Sequence, residues 1–129
     1  MNFTPEQEQN IDNLLKVIEL RKRVRRLIAS LTAQDVTGEY TRAFYNLSER
    51  EYKSFAIYYG FGEWQLQSSN GEVKTMTRLE AAPLIGYKTA SGITIALDRF
   101  FEKIAKEKGE EYAEGMRSEV EKRRKLLHF

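Results

Sequence analysis

The sequence has no cysteine, one histidine, two prolines and no uninterrupted apolar stretch longer than a few residues. Without cysteine there is no disulfide framework, no thiol nucleophile, no iron–sulfur cluster and no zinc–cysteine site. The lone histidine, His128, excludes a multi-histidine metal site and argues against a His-based catalytic triad. A membrane-spanning helix needs roughly 20 apolar residues in a row, and no run approaches that. The opening segment MNFTPEQEQN has no basic n-region and no apolar run, so a secretory leader is not expected and the cytoplasm is the expected compartment. Charge of one sign is lacking too: 21 basic residues face 19 acidic ones, a net of +2.

Against those absences stand 129 residues, 41% of them hydrophobic, enough for the core of one domain. Three helix starts use the same device. Thr4-Pro5-Glu6-Gln7, Ser48-Glu49-Arg50-Glu51 and Thr77-Arg78-Leu79-Glu80 each fit the capping box, in which a hydroxyl and a side chain three residues on satisfy each other's backbone amides. The pattern predicts a mainly α fold with one small β-hairpin in a single domain, residues 1–129. A long helix covers 1–31, and a helix and hairpin cover 48–76. A helix-turn-helix-like unit covers 77–108, and a C-terminal helix covers 110–129. The hairpin rests on strand-like alternation at 63–67, the turn residues Ser68-Ser69-Asn70-Gly71 and a return run at 72–76.

In the first helix Val17, Leu20, Val24, Leu27 and Leu31 step 3-4-3-4, the spacing of a coiled-coil seam. A helix of about 27 residues is about 40 Å long, more than a small domain needs, so the seam predicts a homodimer. The same helix carries Arg21, Lys22, Arg23, Arg25 and Arg26, five cations in six residues. Such a run is either a phosphate-contacting stripe or a solvated helix face. Lys122-Arg123-Arg124-Lys125 is a second basic cluster, and its place at a helix C-terminus complements the helix dipole.

Residues 76–93, Met-Thr-Arg-Leu-Glu-Ala-Ala-Pro-Leu-Ile-Gly-Tyr-Lys-Thr-Ala-Ser-Gly-Ile, carry the motif with functional content. The run from Thr77 through Glu80-Ala81-Ala82 to Leu84-Ile85-Gly86 resembles the opening of the small helix-turn-helix modules of the excisionase and MerR-like group. That resemblance, over residues 77–101, implies a non-enzymatic DNA-binding regulator, of the kind found in phages and mobile elements. It places the start of a recognition helix in the major groove of double-stranded DNA. Lys88, Thr89, Ser91 and Thr94 would then face the groove, and Arg78 and Arg99 the phosphates. Two positions depart from the pattern: Pro83 inside the first helix and Gly92 near the start of the second.

A second partner class stays open. Eight aromatic residues lie between Phe44 and Trp64, and residues 31–71 carry a net charge of −2. Acidic character disfavours phosphate, so this segment, 40–64, suits a protein-binding adaptor or inhibitor that docks through Tyr45, Tyr52, Tyr58 and Trp64. Catalysis is not expected, nor is a metal or cofactor. The clusters Glu49/Glu51 and Glu110/Glu111/Glu114 are explained by capping and solvation. Gly60-Phe61-Gly62 lacks the strand and the GK[ST] that a phosphate-binding loop needs.

Overall fold

Helix ends are written locally, and the fold is what six such helices do with their apolar faces. The structure, a computed structural model, describes residues 2–33, 38–61 and 76–127; among these residues it contains six helices and no strand. They are α1 (Pro5–Ala33), α2 (Glu39–Tyr45), α3 (Glu49–Tyr59), α4 (Arg78–Ile85), α5 (Ala90–Lys108) and α6 (Glu110–Leu127). None of the helices described is long and apolar enough to cross a membrane. All three capping boxes close. The amides of Gln7, Glu51 and Glu80 donate to the hydroxyls of Thr4, Ser48 and Thr77 at 3.2, 3.1 and 3.2 Å. The amides of Thr4, Ser48 and Thr77 donate back to Gln7, Glu51 and Glu80 at 2.9, 2.7 and 3.3 Å.

The expected fold class is corrected from mainly α with a β-hairpin to all-α among the described residues. The hairpin span 63–76 lies outside those residues except for Met76, which is irregular and leads into α4. A five-residue alternation is a weak signal, and the aromatic core among the described residues is built by α3, α5 and Phe61. Phe55 of α3 stacks on Phe61 at 5.0 Å and on Phe100 of α5 at 4.1 Å, with the rings nearly parallel. Phe101 sets its ring at right angles to Phe100, 5.1 Å away.

α3, α4 and α5 pack on one another as a three-helix core, α6 lies against α5, and α1 lies against α6. Contacts run in opposite directions along α1 and α6. Arg23 meets Tyr112, Val24 lies over Gly115, and Arg21 lies near Glu119 and Lys122, so the two helices are antiparallel. The dimer seam expected on α1 is therefore corrected. Val24 is buried, and Leu20 and Leu27 pack against the core of the same chain. Val17 borders the α1–α6 groove, and the side chain of Leu31 lies outside those described. The 3-4-3-4 spacing is real, but its partner is α6, because a seam is satisfied by any apolar helix face that reaches it.

Side-chain bridges tie the layers. Lys103 of α5 donates to Glu51 at 2.6 Å and to the Asn46 carbonyl at 3.0 Å, fixing α5 to the start of α3. Arg123 and Arg124 of α6 donate to the carbonyls of Gly60 and Met76 at 3.2 and 3.0 Å, on either side of residues 62–75. The second basic cluster is thus partly spent on holding the chain. Burial pushes the Glu51 carboxyl up, but hydrogen bonds from Lys103 and Ser48 outweigh it and hold the group below its ordinary value of 4.5. A carboxylate lowered on folding stabilises the fold above its unfolded value, and that contribution is lost as pH falls through the folded value. Glu51→Gln is expected to cost about 2 kcal/mol at neutral pH. In denaturant titrations, the gap between variant and wild type should narrow as the pH falls below 4.5.

Candidate nucleic-acid interface

The α4–α5 unit begins from two alanines. Ala81 and Ala82 are buried without residue, so the α4 backbone comes close to α5, where Ile93 and Leu97 are equally buried. Gly86 ends α4 with φ of 96°, a left-handed conformation that a side chain resists, and its amide reaches back to Ala82 and Pro83. Pro83 costs little here. It lies on the exposed side of α4, three residues before the helix stops.

Gly92 has a packing reason. A Cβ at that position would fall 2.6 Å from Cγ of Tyr87, so the Tyr87 ring occupies the space a side chain would need. The Arg50 guanidinium lies over the Tyr87 ring, 5.6 Å from its centre. Glycine therefore seats the turn of the unit against the first turn of α5, and the ring carries an arginine from α3.

The exposed face of α5 near its start carries Ser91, Ile95 and Arg99, preceded by exposed Lys88 and Thr89. The Thr89 and Ser91 hydroxyls share a 2.6 Å hydrogen bond, and the first turn of α5 has no acid. Arg50, Glu51, Tyr87, Gly92, Ile95 and Arg99 are among the residues lining one shallow depression between α3 and α5, where the Glu51 carboxylate is bonded to Lys103. Asp98 is paired with Arg117 of α6 at 3.0 Å, and exposed Glu102 bounds the surface one turn beyond Arg99. Four of the expected groove and phosphate residues, Lys88, Thr89, Ser91 and Arg99, thus share one region.

The other expected contacts fall elsewhere. Arg78 donates to the Thr94 hydroxyl at 3.1 Å and lies over the Tyr58 ring at 5.1 Å, so both residues brace α4 against α5 and α3. Arg21, Lys22, Arg23, Arg25 and Arg26 are all exposed, but on α1. α6 lies between α1 and α5, and Arg23 and Arg26 border a cavity with Lys108, at the far end of α5 from Lys88. The run and the start of α5 do not form one surface. On the aromatic segment, Tyr45, Tyr52 and Tyr58 are buried in the core and offer no docking face, and Trp64 lies outside the described residues. Tyr45 of α2 hydrogen-bonds with Tyr112 of α6, the Tyr52 ring fills the space beside Gly38, and Tyr58 lies beneath Arg78 of α4 and Arg124 of α6.

Arg50 and Ile95 were not readable as site residues from the sequence. Arg50 is brought in from another helix, and nothing local announces it. Ile95 did leave a trace, since it is an apolar residue off the Ile93–Leu97–Phe100 face and 52% exposed.

No family model matches the chain, and neither a curated protein nor a solved structure matches it.

The division between bracing and free side chains is measurable. Arg78→Ala is expected to cost about 1–2 kcal/mol through its lost ring contact and hydrogen bond. Gly92→Ala should cost about as much by overpacking, despite gaining about 1 kcal/mol of helix propensity. Lys88→Ala and Arg99→Ala should stay within about 0.5 kcal/mol of wild type in thermal or denaturant unfolding.

Proposed function

We propose that the protein is a non-enzymatic DNA-binding regulator that presents the first turns of α5 to the major groove of double-stranded DNA. The observation that carries this reading is the face formed by Lys88, Ser91, Ile95 and Arg99 with Arg50. It lies beside a three-helix core in which α4 and α5 are successive helices packed on each other across a short turn, an arrangement compatible with a helix-turn-helix. The resemblance of residues 77–101 to the excisionase and MerR-like modules supports it, and would make it a regulator of the kind found in phages and mobile elements.

Each residue type has a task in that reading. Arg50 and Lys88 contact phosphates from either side of the helix start and set the register. Thr89 and Ser91 meet base edges through hydroxyls that donate or accept, which discriminates weakly. Arg99 can reach a guanine edge bidentately, which discriminates strongly, and Ile95 suits a thymine methyl. The stack of Arg50 on Tyr87 holds one cation in place before DNA arrives.

A fluorescence-anisotropy titration of duplex DNA against salt tests the proposal. Two phosphate contacts, from Arg50 and Lys88, give a slope of log affinity against log salt of roughly −2. Lys88→Glu and Arg50→Glu should each weaken binding to all sequences and lower the slope by about 1, and Ile95→Ser should change sequence preference more than affinity. No retention of mixed-sequence duplex at the lowest salt would end this reading.

A further inference from the structure

The first half of α1 carries an apolar stripe that the fold leaves open. Ile11, Leu14, Leu15 and Ile18 are 39, 60, 58 and 39% exposed. Their spacing of three, one and three residues puts them on one helical face. At 100° per residue that face points away from Leu20, Val24 and Leu27, the residues that meet α6. A partner on the stripe therefore leaves the chain's own α1–α6 packing intact.

Charge selects the partner. From Pro5 to Leu15 the helix carries Glu6, Glu8 and Asp12 and no cation; by helical period Glu8 flanks the stripe, Asp12 lies further round the helix, and Glu6 lies on the opposite side. One to two turns beyond the stripe, on the same face, come Arg21, Lys22 and Arg25, all exposed. A helix with an acidic end, an apolar middle and a basic end is complementary to itself turned around. Antiparallel pairing about Leu14 and Leu15 lays Glu8 of each copy beside Arg21 and Lys22 of the other. Parallel pairing would set cations against cations, which is destabilising.

We infer that a second copy of this chain docks on the Ile11–Leu14–Leu15–Ile18 face, forming a two-fold antiparallel dimer through α1. The paired stretch runs over residues 4–25, about 33 Å of helix. Two-fold symmetry makes each patch its own partner and closes the assembly at two. No residue of this face lies on α5, so the inference stands apart from the DNA reading and fails or holds separately from it.

Sedimentation equilibrium of the full chain should show mass rising with concentration toward twice 15.1 kDa. Leu14→Glu should raise the dissociation constant at least about 100-fold, with the monomer keeping its helical circular dichroism because Leu14 is exposed. The triple change Arg21→Glu, Lys22→Glu and Arg25→Glu should act likewise without touching an apolar contact, and added salt should weaken the wild-type dimer. The cysteine-free chain allows a test of direction. A mixture of Gln7→Cys and Lys22→Cys proteins treated with a short bis-maleimide should give covalent heterodimers, and neither variant alone should link to itself. A mass of 15.1 kDa at every concentration overturns the dimer. Self-linking of Gln7→Cys alone overturns its antiparallel arrangement.

Discussion

The stack of Phe61, Phe55 and Phe100 is the contact on which the rest of the arrangement depends. It joins the end of α3 to the middle of α5 through three rings, each fully buried. Once α5 is fixed there, Ile93 and Leu97 must face α4, and Ala81 and Ala82 let α4 approach. Ser91, Ile95 and Arg99 are then left outward by the helical period alone. The candidate DNA face is thus the residue of a packing solution. Its precision comes from the rigidity of the aromatic core behind it.

Arginine does two kinds of work in this chain. Arg123 lies over Phe61, Arg117 over Phe101, and Arg78 and Arg124 over Tyr58, each within 5.1 Å of the ring centre. Those planar cations lie over aromatic rings of the core and donate to backbone carbonyls, to the Asp98 carboxylate or, for Arg78, to the Thr94 hydroxyl, so their charge is engaged within the fold. Arg50 and Arg99 border the face of α5, and Arg21 and Arg25 stand on α1. A near-neutral total therefore conceals a division between structural and available cations. The sum of charges says little about partners, while the positions of the free ones say much.

α1 shows why a helix can satisfy two demands at once. Its second half buries one side against α6, while its first half exposes the opposite side. A wide apolar stripe in sequence is in this case two narrower stripes on different faces. One is committed to the chain's own fold, and the other is left for association.

The sequence alone determined the local matters: the three capping boxes and the exclusion of thiol chemistry. The boxes follow from backbone hydrogen bonding, which acts over a few residues. It misjudged the α1 seam, the aromatic segment and Arg78, because spacing shows that a side chain needs a partner without saying which. The fold class is all-α among the described residues rather than mainly α with a hairpin, and the span expected to form the hairpin lies outside them but for Met76. Gly92 looked like a defect in a recognition helix until Tyr87 was seen to occupy its Cβ position. Arg50 could not be found at all, for it joins the face across 37 positions of chain from Tyr87. Local physics wrote the helices; only tertiary packing decided which of their faces were left to meet something else.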